Sequence, residues 1–515
     1  MKLARLIIIL FASFTLLVAC SDDPQNAVEV PPLPLITTSA TVATEAVDTE
    51  SEAETIADDS AEIESTDPLI VTEVENEHSA ELTPGDCPFE EGERNFECGT
   101  IRVTETRDPA FADEDNSITL AYAVMKSSSA TPAADPLVYL EGGPGGDTMT
   151  TVDWFLADYM SVFLAERDVI FFSHRGSAGA TPHLDCAPLT DIDYQYLDQP
   201  AEANDAYDAA FREAIFGCRD ELIAEGANLA SYNSAESAAD VKDLLTALGY
   251  EQASFYGASY GTRLAQTIMR DHPQIVRSAI IDAVVPLDKT FEPSVITSMD
   301  RAFEHLFAAC TQDSACNAIY PDLRGVFYST VDLLNETPVL VEGASDRYTG
   351  VSRDVMVNGD MLMNGLFGAL YADFQLPELP KAIYDAQAGD YELFIDEAFY
   401  NIFSGELLFS EIQHLTTVCY EDVAFDTQAD FDAAAATVEP RIASFNLDSD
   451  SYYSVCADVI DRTAAPLENE AVLSDIPTLI LSGAFDPITP PAYGAAVAAN
   501  LSNSTHLTFS MLSHG

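Results

Sequence analysis

The sequence predicts an α/β domain: a mostly parallel sheet with helices on both faces and a helical block inserted before the last strands. Three observations carry this. Short apolar, β-branched runs alternate with helical patterns between residues 100 and 283. A Gly-x-Ser-x-Gly pentapeptide, residues 257–261, stands between one such run and the helix after it. Beyond Pro286 the pattern turns helical and regains strand texture only near residue 478.

The first strand candidates are residues 100–103, 118–125, 137–140 and 169–172. A helix is expected over 234–248. Asn233 opens it with Glu236 three residues later, the spacing of a capping box. Val241, Leu244, Leu245 and Leu248 recur three and four apart, and Gly249 stops the helix. A strand at 253–256, a sharp turn, a helix at 262–270 and a strand at 276–283 follow. Val295, Met299, Phe303, Leu306 and Phe307 make the amphipathic stripe that opens the helical block. Strands return at 478–481 and 506–509. The block reads as a cap, dividing the chain into core 86–290, cap 291–470 and remaining core 471–515. Hydrophobic residues make up 47% of the 515, enough to bury a core of that size.

Residues 1–20 read as a targeting signal. Lys2 and Arg5 precede the apolar run 6–18, which is short for a membrane span. Leu17-Val18-Ala19-Cys20 resembles a bacterial lipoprotein box, in which the cysteine becomes the lipid-bearing first residue. The other reading is an ordinary cleaved secretory signal. Ser21 after the cysteine points to the outer membrane, facing the periplasm or the cell surface. Residues 21–85 lack Lys and Arg, carry a charge of −17 and read as a disordered acidic tether.

The formal charge is −64, of which −49 falls on residues 86–515. Such a surface repels phosphate backbones, which argues against a nucleic-acid partner. Eight cysteines remain beside Cys20, an even number that favours disulfides in an exported chain. The simplest pairing joins sequence neighbours: 87–98, 186–218, 310–316 and 419–456. None of them has the spacing of a zinc site, and no cofactor is expected.

The chemistry centres on Gly257-Ala258-Ser259-Tyr260-Gly261. A strand that reverses into a helix within a few residues leaves no room for side chains at either glycine, and it lifts the serine clear of the sheet. A serine hydroxyl is a poor nucleophile until a base takes its proton and a carboxylate orients that base. In the α/β-hydrolase fold the chain order is Ser, then Asp or Glu, then His. Asp486 follows the buried run 478–481, and His514 lies 28 residues further on, past the last strand candidate. The other histidines after Ser259 fall at a helix end (His272), in the cap (His305, His414) or at the start of a strand (His506). The oxyanion needs backbone N–H donors. Tyr260 supplies one, and the loop Gly142-Gly143-Pro144-Gly145-Gly146 supplies the other, through Gly143 or else Gly145.

Together, Gly142-Gly143-Pro144-Gly145, Arg175-Gly176-Ser177, the pentapeptide with Thr262, His272-Pro273, and Gly483 with Asp486-Pro487 resemble the proline iminopeptidase and tripeptidyl aminopeptidase group of α/β hydrolases. Cys310, Cys316, Tyr320-Pro321-Asp322 and Val418-Cys419-Tyr420-Glu421-Asp422 resemble its exported members, so the likeness runs from about residue 86 to the end. It implies a Ser259–Asp486–His514 peptidase that removes residues from free N-termini through an acyl-enzyme. Recognition of an ammonium group calls for a carboxylate under the cap, and Glu421 is the candidate. There are departures. Ser173-His174 stands in place of Asp-Gln before Arg175, which removes a supporting carboxylate near the glycine loop. Glu141 replaces a frequent His, and Ser513 a common Gly. The chain stops one residue after His514, where the group continues into a final helix, so truncation and a loosely held base are expected. A carboxylesterase or lipase on the same triad is the competing activity, and a non-catalytic envelope lipoprotein the third reading.

Overall fold

A computed structural model describes residues 80–108, 116–445 and 449–515; the signal segment, Cys20 and nearly all of the acidic tether lie outside them. The apolar runs form one ten-stranded sheet. It opens with β1 (Glu81–Gly85), β2 (Phe96–Thr104) and β3 (Ser117–Met125), which pair antiparallel. β4 (Leu137–Leu140), β5 (Val169–Phe172), β7 (Ala253–Ala258) and β8 (Val276–Asp282) follow, with the short β6 (Ala180–Thr181) beside β3. After the two-stranded hairpin β9 (Val339–Asp346) and β10 (Val351–Val357), the sheet ends with β11 (Thr478–Gly483) and β12 (Ser504–Phe509). Its order is β1-β2-β3-β5-β4-β7-β8-β11-β12, parallel from β5 onward.

The central strands are buried on both faces, which is why β4 and β5 read as unbroken apolar runs. Alternate residues still serve opposite cores. Val138, Leu140, Ile170 and Phe172 pack under helices α1 (Ser234–Leu248) and α2 (Tyr260–Asp271), while Leu137, Tyr139, Val169 and Phe171 pack against Met149, Leu156 and Met160. Asn233 caps α1 by accepting from the Glu236 N–H at 3.0 Å, and Gly249 ends it at φ 84°. The capping box does not close. The Glu236 carboxylate goes to Arg107 instead, accepting from its N–H and guanidinium at 2.7 Å each.

Two segments depart from the sequence reading. The tether, read as running to residue 85, gives way by Glu81 to strand β1, because the edge of β2 offers it backbone partners from Cys98 to Arg102. Within 291–470 the chain is not helical throughout: β9 and β10 form a hairpin whose outer faces are largely exposed, which blurs the apolar alternation. Helices α3 (Phe291–Gln312), α4 (Gly359–Ala369) and α5 (Glu411–Glu421) lie in this region, and α6 (Pro491–Asn500) joins β11 to β12. Phe303, Phe327, Leu362 and Phe367 form a separate core that also takes in Phe485 and Ile488, the apolar residues on either side of Asp486. All four neighbouring cysteine pairs are disulfides.

Two glycines test this packing. A Cβ on Gly261 would lie 2.0 Å from the Leu140 carbonyl oxygen, whereas one on Gly217, within helix Asn204–Ala224, meets nothing within 4 Å. Gly261→Ala is expected to cost about 1–3 kcal/mol or to prevent folding. Gly217→Ala should gain about 0.5–1 kcal/mol. Thermal denaturation of the two variants beside the parent checks both.

Candidate active site

Ser259 stands where β7 turns into α2. Its backbone is held at φ 52°, ψ −119°, a left-handed conformation that side chains rarely adopt. Close packing enforces it: a Cβ on Gly257 would come within 2.3 Å of the Gly261 carbonyl oxygen. The turn is tied on both sides. The Ser259 N–H donates to the Asp282 carbonyl at 2.9 Å, and its own carbonyl accepts from the Thr262 N–H at 2.8 Å and hydroxyl at 2.6 Å. Tyr260 is the first residue of α2, so its N–H has no acceptor within the helix and is available to a developing negative charge.

Asp486 follows β11 and is completely buried. Its Oδ1 accepts from the N–H groups of Ile488 (2.9 Å) and Thr489 (2.7 Å). Its Oδ2 accepts from the Thr489 hydroxyl (2.6 Å) and from His514 Nδ1 (2.9 Å). Burial pushes this carboxyl up, but the attraction of His514 and these hydrogen bonds outweigh it and hold the group below its ordinary range. Asp486 therefore stays ionised and orients the imidazole. Ser259 and Asp486 end strands two places apart, with β8 between them. At roughly 4.8 Å per strand, the ends of these two strands stand about 10 Å apart.

His514 is packed rather than frayed: it is 3% exposed, with the Tyr371 ring centred 4.9 Å from its own. Ser513 beside it donates to the Leu370 carbonyl and the Asp373 carboxylate, just past the end of α4. The segment crosses the end of β11 so closely that a Cβ on Gly483 would lie 1.8 Å from the Ser513 oxygen. The expectation of a loosely held base is corrected by these contacts.

Gly143, at φ 122°, shares one cavity with Pro144, Ser259, Tyr260, Asp422 and Thr489. Glu141 folds back beneath its loop and accepts from the Gly142 N–H at 2.9 Å; burial raises its carboxyl to about 7. A different carboxylate stands close by in sequence. Asp147, buried just after the loop, accepts from the Ser177 hydroxyl at 3.0 Å. His174 is buried against Phe172 and Tyr260, and burial lowers it to about 4, so it stays neutral.

Glu421 does not face this cavity. It is 1% exposed and accepts from Ser234 (N–H 3.0 Å, hydroxyl 2.6 Å) and Arg263 Nε (3.2 Å). Its neighbour Asp422 lines the cavity, 3.0 Å from the Arg263 guanidinium. Burial raises Asp422 to about 7 even so. Arg263 thus pairs with both carboxylates, and Asp422 is the one that borders the cavity of Ser259. Sequence reasoning also passed over Asp282, the last residue of β8. It is buried, accepts from the Tyr256 hydroxyl at 2.9 Å and lies close enough to feel both His514 and Asp486. Its place at the C-terminal end of a parallel strand was the available signal. Arg301 of α3 donates to the main-chain oxygens of Ala484 (2.8 Å) and Asp486, which no motif announces. Among the described residues no group of His, Cys, Asp and Glu is placed to hold a metal ion.

A serine on a strained elbow and a buried Asp–His pair at the same end of a parallel sheet define a serine hydrolase. The sequence profile of the alpha/beta hydrolase fold matches residues 135–514, and the chain belongs to that family. It is 23% identical over 442 residues to the serine protease Hip1 of Mycobacterium tuberculosis, covering 81% of each chain. It is 22% identical over 211 residues to the putative hydrolase YuaR of Escherichia coli, 39% of this chain and 40% of that one. The esterase RhEst1 from a Rhodococcus species is a solved structure to which it is similar, at 15% identity and TM-score 0.33, over 77% of this chain and 88% of the other.

Asp486→Asn would leave the imidazole packed but favour the wrong tautomer. It is expected to lower kcat by roughly 10⁴-fold with little change in KM. Steady-state kinetics on any ester or amide the parent turns over checks this.

Proposed function

We propose that this chain is a serine peptidase that releases residues from the free N-termini of peptides, as prolyl and tripeptidyl aminopeptidases do. The observation that carries the reading is Asp422, a buried carboxylate that shares the Arg263 guanidinium with Glu421 and lines the cavity that holds Ser259. One guanidinium shared by two carboxylates leaves Asp422 able to take a substrate ammonium as well. The similarity to a protein named as a serine protease supports a peptide substrate.

In the reaction, His514 takes the Ser259 proton as Oγ attacks the scissile carbonyl, and Asp486 stabilises the resulting imidazolium. The Tyr260 and Gly143 N–H groups receive the oxyanion. Collapse expels the amine with the proton from His514, and water activated by the same histidine then hydrolyses the acyl-enzyme. Export and a lipid anchor at Cys20 belong to the same proposal, supported by the signal-like residues 1–20 and the four disulfides.

Acetylating the substrate's N-terminus is expected to lower kcat/KM by roughly 100-fold, the scale of losing one partner of a buried charge pair. Anilides of short peptides, free and acetylated, beside short acyl esters decide this. Equal turnover of both anilides would favour the esterase reading. The pH dependence has a definite sign. Asp422 is ionised above about 7, while a peptide ammonium persists to nearly 8. KM for free-amine substrates should therefore fall as pH rises from 6 to 7.5. In Asp422→Asn it should stay high and flat.

A further inference from the structure

Helix α5 is buried from Glu411 through Cys419, and Cys419–Cys456 fastens its C-terminal end to helix Ser449–Val459. A lid helix shows one face to the core and one to water; α5 has no wet face. Its N-terminal end rests on the glycine loop. The Ser410 N–H donates to the Gly145 carbonyl at 2.9 Å, and His414 Nδ1 lies 2.9 Å from the Pro144 carbonyl oxygen. A carbonyl can only accept, so Nδ1 carries the proton. Burial holds His414 down at about 4, which keeps the ring neutral over the working range. The Phe409 ring, centred 5.1 Å from that of His414, closes over Gly145, where a Cβ would meet it at 3.2 Å and the Ser410 oxygen at 2.9 Å.

At its other end the same helix carries Glu421, followed directly by Asp422, and both reach Arg263 on α2. Helix α2 begins at Tyr260. One rigid element therefore touches the carriers of both N–H groups proposed for the oxyanion and the carboxylate proposed for the substrate amine.

We infer that His414 is a positioning residue: through its hydrogen bond to Pro144, helix α5 fixes the direction of the Gly143 N–H and couples it to the amine-binding end. The inference rests on the reading of Gly143 as an oxyanion donor. Without that bond the loop keeps its prop from Glu141 and its backbone bond from Ser410 but loses the side-chain tie at Pro144, next to Gly143. The ground state, bound elsewhere, is unaffected, and the transition state loses an aligned donor.

The test uses the full chain and a short p-nitrophenyl ester, with His414→Asn, His414→Gln and His414→Leu. An Asn amide nitrogen falls near Nδ1 and can donate to Pro144; a Gln amide falls near Nε2 and cannot. Gln and Leu are expected to lower kcat by roughly 10- to 100-fold, less than loss of a whole donor, with KM within about twofold. Asn should stay within about threefold of the parent. Affinity for a trifluoromethyl ketone, which forms an oxyanion on Ser259, should fall in parallel with kcat. Should the Leu variant fail to fold, the Asn–Gln contrast still decides. Unchanged kcat in Gln, or equal losses in Asn and Gln, overturns the inference. Ser259→Ala, run in parallel, separates the two levels. If it retains turnover, the site reading fails and the inference with it. If it is inactive while His414→Gln is not impaired, the inference alone fails.

Discussion

The reversal of β7 into α2 at Ser259 constrains everything around it. The first turn of α2 is pressed so closely onto the ends of β4 and β7 that neither Gly257 nor Gly261 can carry a side chain. The serine between them is driven to φ 52°. Strain of this kind persists only where the surroundings over-determine it. Here the Asp282 carbonyl and Thr262 supply the hold, from the adjacent strand and the following turn. The same geometry leaves the Tyr260 N–H at a helix start, while Asp486 follows β11, two strands away in the same sheet.

The residues between β8 and β11 do more than cover this site. Each of three helical segments grips one loop of the candidate site. Arg301 of α3 binds the main chain of the Asp486 loop, residues just past the end of α4 bind Ser513 next to His514, and Ser410 and His414 bind the glycine loop. Apolar packing adds to this, since Phe485 and Ile488 belong to the core of the helical block rather than that of the sheet. A catalytic constellation must be held to within a fraction of an ångström, and loops alone do this poorly. In this fold the inserted block supplies the second wall.

What could be read in the sequence followed from local rules. Central strands were legible as apolar runs because burial on both faces demands them, and the elbow because a tight strand-to-helix turn admits only glycine at fixed places. Chain order led from Ser259 to Asp486 and His514, which the structure brings together as a hydrogen-bonded pair across β8 from the serine. What escaped depended on contacts between distant segments. Glu421 and Asp422 are equivalent acids in sequence and both reach Arg263, and only the fold turns Glu421 onto Ser234 and Asp422 toward the cavity. The hairpin β9–β10 escaped because exposure weakens alternation. His414 looked like any histidine in a helix, since its carbonyl partner lies 270 residues earlier.

The central claim is that Ser259 is the group that becomes acylated. Mass spectrometry of the intact protein after reaction with a fluorophosphonate, followed by peptide mapping, addresses it directly. One adduct per chain on Ser259, absent in Ser259→Ala and slowed in His514→Ala, is the predicted result. An adduct on another residue, or equal labelling of the Ser259→Ala protein, would contradict the account.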